Sequence, residues 1–374
     1  MYIVLTGAKK NIGDFLITDR SKKLLSHLKP KENLVQFPSW IRLDDHLDTI
    51  NSSSAIIILG GPGFQPKFYP GVYKLTDDLN KIKVPIIPLG LGWKGITGDY
   101  YSIKTYGFSK NSLNALYYIS KNTNKISCRD YITKQVLNSQ GIKNVIMTGC
   151  PVWYDLDSIG KKMIKPKTIK KIIFTPAQRQ IYRNQCISIM RSIRKRFQDV
   201  EIYCSFHRGI NSKDIYTRKN DAINNMKIKN EAEKLNFKII DASFELNKIQ
   251  FYENCDFHIG YRLHAHLYFL SKRKPSFLIH EDGRGNGASD ALGLRGFDAY
   301  KRNIIGIIQS SIAIPFIPKT LQMSLPTIST NPLLSDQLLN FIDEEICNDF
   351  ERFSGVPLII DSHFEVMKNF IINM

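Results

Sequence analysis

Long apolar runs are missing from this sequence of 374 residues, and their absence narrows its class first. No stretch approaches the ~20 consecutive apolar residues that a bilayer-spanning helix requires. The opening segment MYIVLTGAKKNIGD has about five apolar residues before a glycine and two lysines, whereas a secretory leader would stay apolar for ~7–15 residues. It reads as a first buried strand, and the expected location is the cytoplasm. The six cysteines, at 128, 150, 186, 204, 255 and 347, include no CxxC pair. They read as reduced, partly buried small hydrophobes, and no metal site is expected.

Acidic charge is also scarce, with Asp plus Glu at 34 against Lys plus Arg at 52 and a net charge of +18. Such an excess suits nucleic acid, an anionic membrane surface or a strongly anionic small substrate. No RRM, helix-turn-helix or zinc-finger pattern is present, so nucleic acid is not an expected partner. Anionic lipid headgroups at the inner face of a membrane fit better. Internal repeats and low-complexity tracts are absent too.

Hydrophobic residues make up 43% and charged residues 23%, ordinary values for a folded soluble chain. The length favours two domains. YIVLTG, AIIILGG and VPIIPLGLG are continuous apolar runs ending in glycine, the pattern of parallel strands covered on both faces. GDFLITDRSKKLLSHL and the stretch around KLTDDLNKI read as helices between them. KISCRDYITKQVLNSQGIKNVIMTGCP adds strand, helix, a stop at Gly141 and strand. This predicts a doubly wound α/β domain over residues 1–155. A polar, lysine-rich linker follows at 156–168. A second α/β series spans 169–325: KIIFTPA, a basic helix, VEIYCSFH, FKIIDAS, CDFHIGY, PSFLIH and NIIGII. Residues 326–374 form a helical tail expected to pack back on the first domain. The fold class is α/β, two doubly wound Rossmann-like domains facing across a cleft.

Candidate site residues follow the strand ends. Asn11, Gly13 and Asp14 come directly after the first strand, where open α/β sheets place ligands. Asp14 has two readings, a substrate contact or the cap of the next helix. Gly60 and Gly61, in LGGPGF, allow close backbone approach to an anion or sugar, or else form a tight turn. The segment is not GxGxxG, and no acidic residue stands about 20 residues on for a ribose, so a dinucleotide is not expected. Arg129 opens a helix in SCRDYIT, either holding the interdomain geometry or meeting an anion, and Asp130 again has a capping alternative. Arg179 follows KIIFTPA, where a guanidinium can grip phosphate or carboxylate bidentately. Arg183 suits a solvated helix face better. His207 and Arg208 repeat the theme at the next strand end.

The densest stretch is FHIGYRLHAHLYFLSKRKPSFLIHEDGRGNGASDALGL. It sets Arg262 and His264 at a strand-to-helix turn, beside a helix N-terminus that favours anions. A fixed positive charge next to a titratable imidazole suits an anionic substrate that needs proton transfer. His258, within the strand, and His266, on another helix face, read as packing. His280 and Arg284 flank a glycine-rich loop and complete the candidate substrate-binding set.

Taken in order, NIGD, LGGPG, SCRD, TGCP, YRLHAHLY, PSFLI and LGL resemble the polysaccharide pyruvyl transferase family over most of the chain. The sequence departs from the family in having Gly60-Gly61-Pro62-Gly63 for three consecutive glycines, and EDGRGNGASD for a shorter, lysine-containing segment. The resemblance implies a GT-B fold and transfer of the enolpyruvyl unit of phosphoenolpyruvate onto two sugar hydroxyls, giving a pyruvate ketal and phosphate. It implies a saccharide acceptor, plausibly lipid-linked, and no metal or redox cofactor. His264 is then the general acid or acid/base, with Arg262 and Arg179 on phosphate and carboxylate and Arg129 in support. Two other readings stand beside it. A GT-B glycosyltransferase would use a nucleotide sugar, with Glu281 or Asp282 on the ribose. A non-catalytic saccharide- or membrane-binding protein would not need the Arg262 and His264 pair.

Overall fold

The computed structural model describes residues 1–211, 214–311 and 327–374. The first domain opens with β1 (Tyr2–Thr6), α1 (Ile12–Leu28), β2 (Leu34–Pro38), α2 (Leu47–Asn51) and β3 (Ala55–Leu59). It continues with β4 (Ile86–Leu89), α3 (Tyr100–Thr105), α4 (Lys110–Lys121), β5 (Ile126–Cys128), α5 (Tyr131–Ser139) and β6 (Val145–Met147). The strands run parallel in the order β2-β1-β3-β4, and the β5-β6 pair joins through a bridge between Leu91 and Cys128. Every residue of β1 and β3 is buried, as uninterrupted apolar strands with helices on both faces should be.

The second domain contains β7 (Lys171–Thr175), α6 (Arg183–Arg196), β8 (Glu201–Phe206), α7 (Lys219–Lys234) and β9 (Lys238–Asp241). After these come β10 (Phe257–Gly260), α8 (Leu263–Ser271), β11 (Ser276–His280), α9 (Gly283–Ala291) and β12 (Phe297–Asp298). Its parallel sheet has the order β12-β11-β10-β7-β8-β9. The chain order therefore reverses between β7 and β10 here, and between β1 and β3 in the first domain. These reversals are the points where open α/β sheets leave a crevice at their carboxyl ends. Both crevices face the same interdomain cleft.

Four expectations change. KLTDDLNKI forms only a 3-10 turn at Leu79–Lys81, because Asp78 uses its carboxylate to accept from the Asn80 amide at 3.0 Å. EDGRGNGASD is not a loop: Asp282 caps it and residues from Gly283 on are helical. NIIGII begins α10 (Ile304–Ser311), after the short strand Tyr300–Arg302. The tail divides: helix Leu334–Cys347 buries Leu334, Leu338, Phe341 and Ile342 on the second domain, against α6 and β12. Only the terminal helix Val356–Ile372 returns to α1, and it touches α8 as well. The 325/326 boundary lies outside the described residues.

Segment 156–168 is pinned to both neighbours. The fully buried Arg273 guanidinium donates to the Ser158 carbonyl at 2.9 Å and pairs with Asp361, and its own carbonyl accepts from Ile164 at 2.7 Å. Across the cleft floor the Ile12 amide donates to the His207 carbonyl at 3.0 Å. The Phe244 amide donates to the Lys10 carbonyl at 2.9 Å.

Candidate active site

The site starts from one glycine. Gly260 ends β10 at φ +147°, and a β-carbon there would stand 2.3 Å from the Thr175 carbonyl oxygen, so only glycine lets β10 close on β7. The Tyr261 amide then donates to that carbonyl at 2.9 Å and the Arg262 amide to the Thr175 hydroxyl at 3.2 Å. This turn aims Arg262, at the N-cap of α8, into the cleft. Its guanidinium donates to Gln178 Oε1 and, across the domain boundary, to Asn11 Oδ1, both at a long 3.4 Å. Glu281 Oε2 is 3.9 Å away. Burial lowers the Arg262 pKa to about 10, with Glu281 opposing. The guanidinium stays charged, and its bonds are long enough to be exchanged for a ligand's.

His264 lies in the first turn of α8, 6% exposed, and its Nε2 has no partner. Burial and then the Arg129, Arg284 and Arg262 charges hold its pKa well below the usual 6.5, so the imidazole is neutral near pH 7. Gly13 of α1 packs directly on the ring. Asp14 follows inside the helix rather than at its cap, which is Asn11. Burial raises the Asp14 carboxyl, while a hydrogen bond to Asn11 and the Arg208, Arg284 and Arg262 charges pull it down.

The cleft encloses about 680 Å³. Its walls include Asn11, Asp14, Gly60, Gly61, Arg179, His207, Arg208, Arg262, His264, His280 and Arg284. These residues, expected from the sequence, therefore share one cavity, but their contacts divide them. His280 is held at both ring nitrogens, by Asp298 at 2.9 Å and Ser289 at 2.8 Å, and has none free for a ligand. His207 is tied through Nε2 to the Tyr252 hydroxyl at 2.9 Å. Arg284 forms a bidentate pair with its own cap Asp282, both contacts at 2.8 Å.

Arg129 does not line the cavity. It lies buried behind His264, donating to the Trp93 carbonyl at 3.0 Å and pairing with Asp130 at 3.2 Å, so its reach to His264 is electrostatic. Asp130 is the cap of α5, accepting from the Thr133 amide at 2.6 Å. His258 is a satisfied core residue between Thr175 and Ser276, and His266 shares the Ser276 hydroxyl. Arg183 stands on α6 outside the cavity walls.

The polar wall residues Gln178 and Lys94 stand outside the set expected from the sequence. Gln178 immediately precedes Arg179, and Lys94 lies five residues past the end of β4, in LGLGWK. Each follows a strand end, which is the signal that found their neighbours. Burial and then the Arg284 charge lower the Lys94 pKa. Glu281 is also in the wall, its Oε1 accepting from the Gln178 amide at 2.7 Å and the Arg179 amide at 3.0 Å. The wall sets five cations, Lys94, Arg179, Arg208, Arg262 and Arg284, against three carboxylates, Asp14, Glu281 and Asp282.

Solved structures share this architecture. UDP-GlcNAc 2-epimerase from Neisseria meningitidis, solved with UDP-GlcNAc bound, is 10% identical, with 100% of each chain covered and a TM-score of 0.52. A putative UDP-N-acetylglucosamine 2-epimerase from Listeria monocytogenes is 10% identical, with 99% of this chain and 94% of that one covered and a TM-score of 0.51. At such identity the likeness shows the fold, which is of the GT-B type. No curated protein matches the chain significantly. The sequence itself supplies the narrower assignment. Residues 11–282 match the model of the polysaccharide pyruvyl transferase family, and the chain belongs to that family of enzymes. Among the described residues no helix is long and apolar enough to cross a membrane, and no cluster of three or more His, Cys, Asp or Glu could hold a metal ion.

Proposed function

We propose that this enzyme transfers the enolpyruvyl unit of phosphoenolpyruvate to two hydroxyls of a saccharide, forming a pyruvate ketal and inorganic phosphate. The observation that carries the reading is the meeting of Arg179, Arg208, Arg262, Arg284 and Lys94 with His264 in the walls of one cleft. A small trianion needs several fixed cations, and guanidinium groups match both its phosphate and its carboxylate.

In the proposed reaction the first acceptor oxygen bonds to C2 of the donor while a proton adds to the C3 methylene, making a methyl group. The C2–O bond to phosphate then breaks, and the second acceptor oxygen bonds to C2. The two hydroxyl protons end on the methyl carbon and on hydrogen phosphate, so atoms and charge balance. His264 is the acid toward C3. Burial favours its neutral form, and the charge of a bound trianion favours its protonation. The proton taken up on donor binding, or from the first hydroxyl, is the one it delivers.

The nucleotide-sugar alternative needs a free acidic residue for a ribose. Glu281 is already engaged by two backbone amides and Asp282 by Arg284, which favours the smaller anion. His264→Ala should retain the fold and lose phosphate release in the presence of phosphoenolpyruvate and acceptor. Near-normal turnover would remove His264 from the mechanism. Thermal stabilisation by a nucleotide sugar, and not by phosphoenolpyruvate, would overturn the donor.

A further inference from the structure

At one edge of the cleft the domains are clasped by Arg302 and Asp99, with guanidinium-to-carboxylate contacts of 2.6 and 2.7 Å. The same guanidinium donates to Thr97 Oγ1 at 3.2 Å and Ser102 Oγ at 3.1 Å. This clasp gathers exposed apolar side chains from both domains. Ile96 (57% exposed) and Tyr100 (69%) flank Asp99, while Ile304 (76%) and Ile307 (52%) begin the helix that follows Arg302. A single exposed isoleucine is ordinary. Four large apolar residues on segments held together at one edge mark a surface for interaction, and Ile96 itself lines the cavity. Lys104 and Lys301 stand on the same segments. Neither is paired with a carboxylate among the described residues, Asp99 being taken by Arg302 and Lys104 lying 5.8 Å over the Tyr100 ring.

We propose that this edge docks the enzyme on an anionic bilayer surface, its apolar side chains entering the headgroup boundary and its lysines meeting lipid phosphates. Charge decides the occupant. A second copy of a chain carrying +18 would set the same lysines against one another, whereas anionic headgroups complement them. Four side chains give weak, reversible attachment rather than anchoring. Docking in this way turns the cleft mouth at Ile96 toward the membrane, where a sugar acceptor with a lipid end would be presented. The surface goes beyond the donor chemistry: vesicle binding requires neither phosphoenolpyruvate nor turnover, so its failure leaves that assignment standing.

The test is co-sedimentation of the full chain with vesicles of equal parts phosphatidylglycerol and phosphatidylcholine, against pure phosphatidylcholine. The expected result is binding to the anionic vesicles alone, released by salt, and weakened about tenfold or more in the I304S/Y100S double variant. The charge-reversed K104E/K301E variant should lose binding with its melting temperature retained. Wild-type binding in both variants would overturn the proposal, as would no binding to either vesicle. So would a concentration-dependent dimer that I304S/Y100S abolishes, which would make the occupant a second copy.

Discussion

A β-carbon at Gly13 would stand 2.6 Å from Nδ1 of His264, so α1 of the first domain is the seat for the acid of the second. Gly13→Ala tests that contact. Alanine is worth up to ~1 kcal/mol over glycine within a helix, which offsets much of the ~1–3 kcal/mol that overpacking costs. The melting temperature should therefore fall little, while displacement of the imidazole should lower phosphate release by about tenfold or more. Wild-type turnover in this variant would show that the seat is not needed.

Gly285 makes a sharper stability test. A β-carbon there would lie 2.4 Å from Cδ2 of His280, a ring that cannot turn aside because Asp298 and Ser289 hold both nitrogens. Overpacking should win over helix propensity, with Gly285→Ala losing roughly 1–2 kcal/mol in urea denaturation. An unchanged or higher midpoint would mean that α9 shifts freely on β11.

Arg262→Lys keeps the charge and removes the fork. A lysine cannot hold carboxylate or phosphate bidentately. The KM for phosphoenolpyruvate should rise about tenfold or more, with the melt unchanged because the native guanidinium bonds are only 3.4 Å contacts. Equal KM values in the two proteins would take Arg262 out of donor binding.

Acid should unfold this enzyme early. Burial holds His207, His258, His264 and His266 below the usual 6.5, His266 at about 3. A histidine lowered in the native state takes its proton more readily in the unfolded chain. Its stability is therefore complete above the unfolded value and is lost as pH falls below it. Each such group removes up to ~1.4 kcal/mol per pH unit. Burial raises Asp14, Glu281 and Glu345, which act in the opposite sense just above the usual carboxylate values, but the four histidines outnumber them. Denaturation free energy should be clearly lower at about pH 5.5 than at about pH 7.5; equal values would mean that these histidines titrate normally.

Where hydrophobic period and strand-end position decide, the sequence was readable. YIVLT and AIIIL could only be buried parallel strands, and Arg179, Arg262 and His264 followed from standing at the ends of such strands. Legibility stopped where tertiary contact sets conformation. EDGRGNGASD has the composition of a loop, yet an Asp282 cap and close neighbours at Gly283, Gly285 and Gly287 make it a helix that only small residues can pack. KLTDDLNKI has helical spacing, yet its aspartates turn back on the backbone. Lys94 also follows a strand end, but it lies five residues past β4, too far for strand-end position alone to single it out. Arg129 looked like an anion contact because its burial behind His264 depends on Gly92, whose missing β-carbon leaves room for the guanidinium.

The central claim is that the cationic cleft around His264 accepts phosphoenolpyruvate and delivers its three-carbon unit to sugar hydroxyls. The most direct measurement follows inorganic phosphate when the full chain is given phosphoenolpyruvate with and without a panel of saccharide acceptors. The account predicts phosphate release that requires an acceptor, matches pyruvate ketal one for one, and disappears in His264→Ala. Product formed from a nucleotide sugar, with phosphoenolpyruvate untouched by every acceptor, would contradict it.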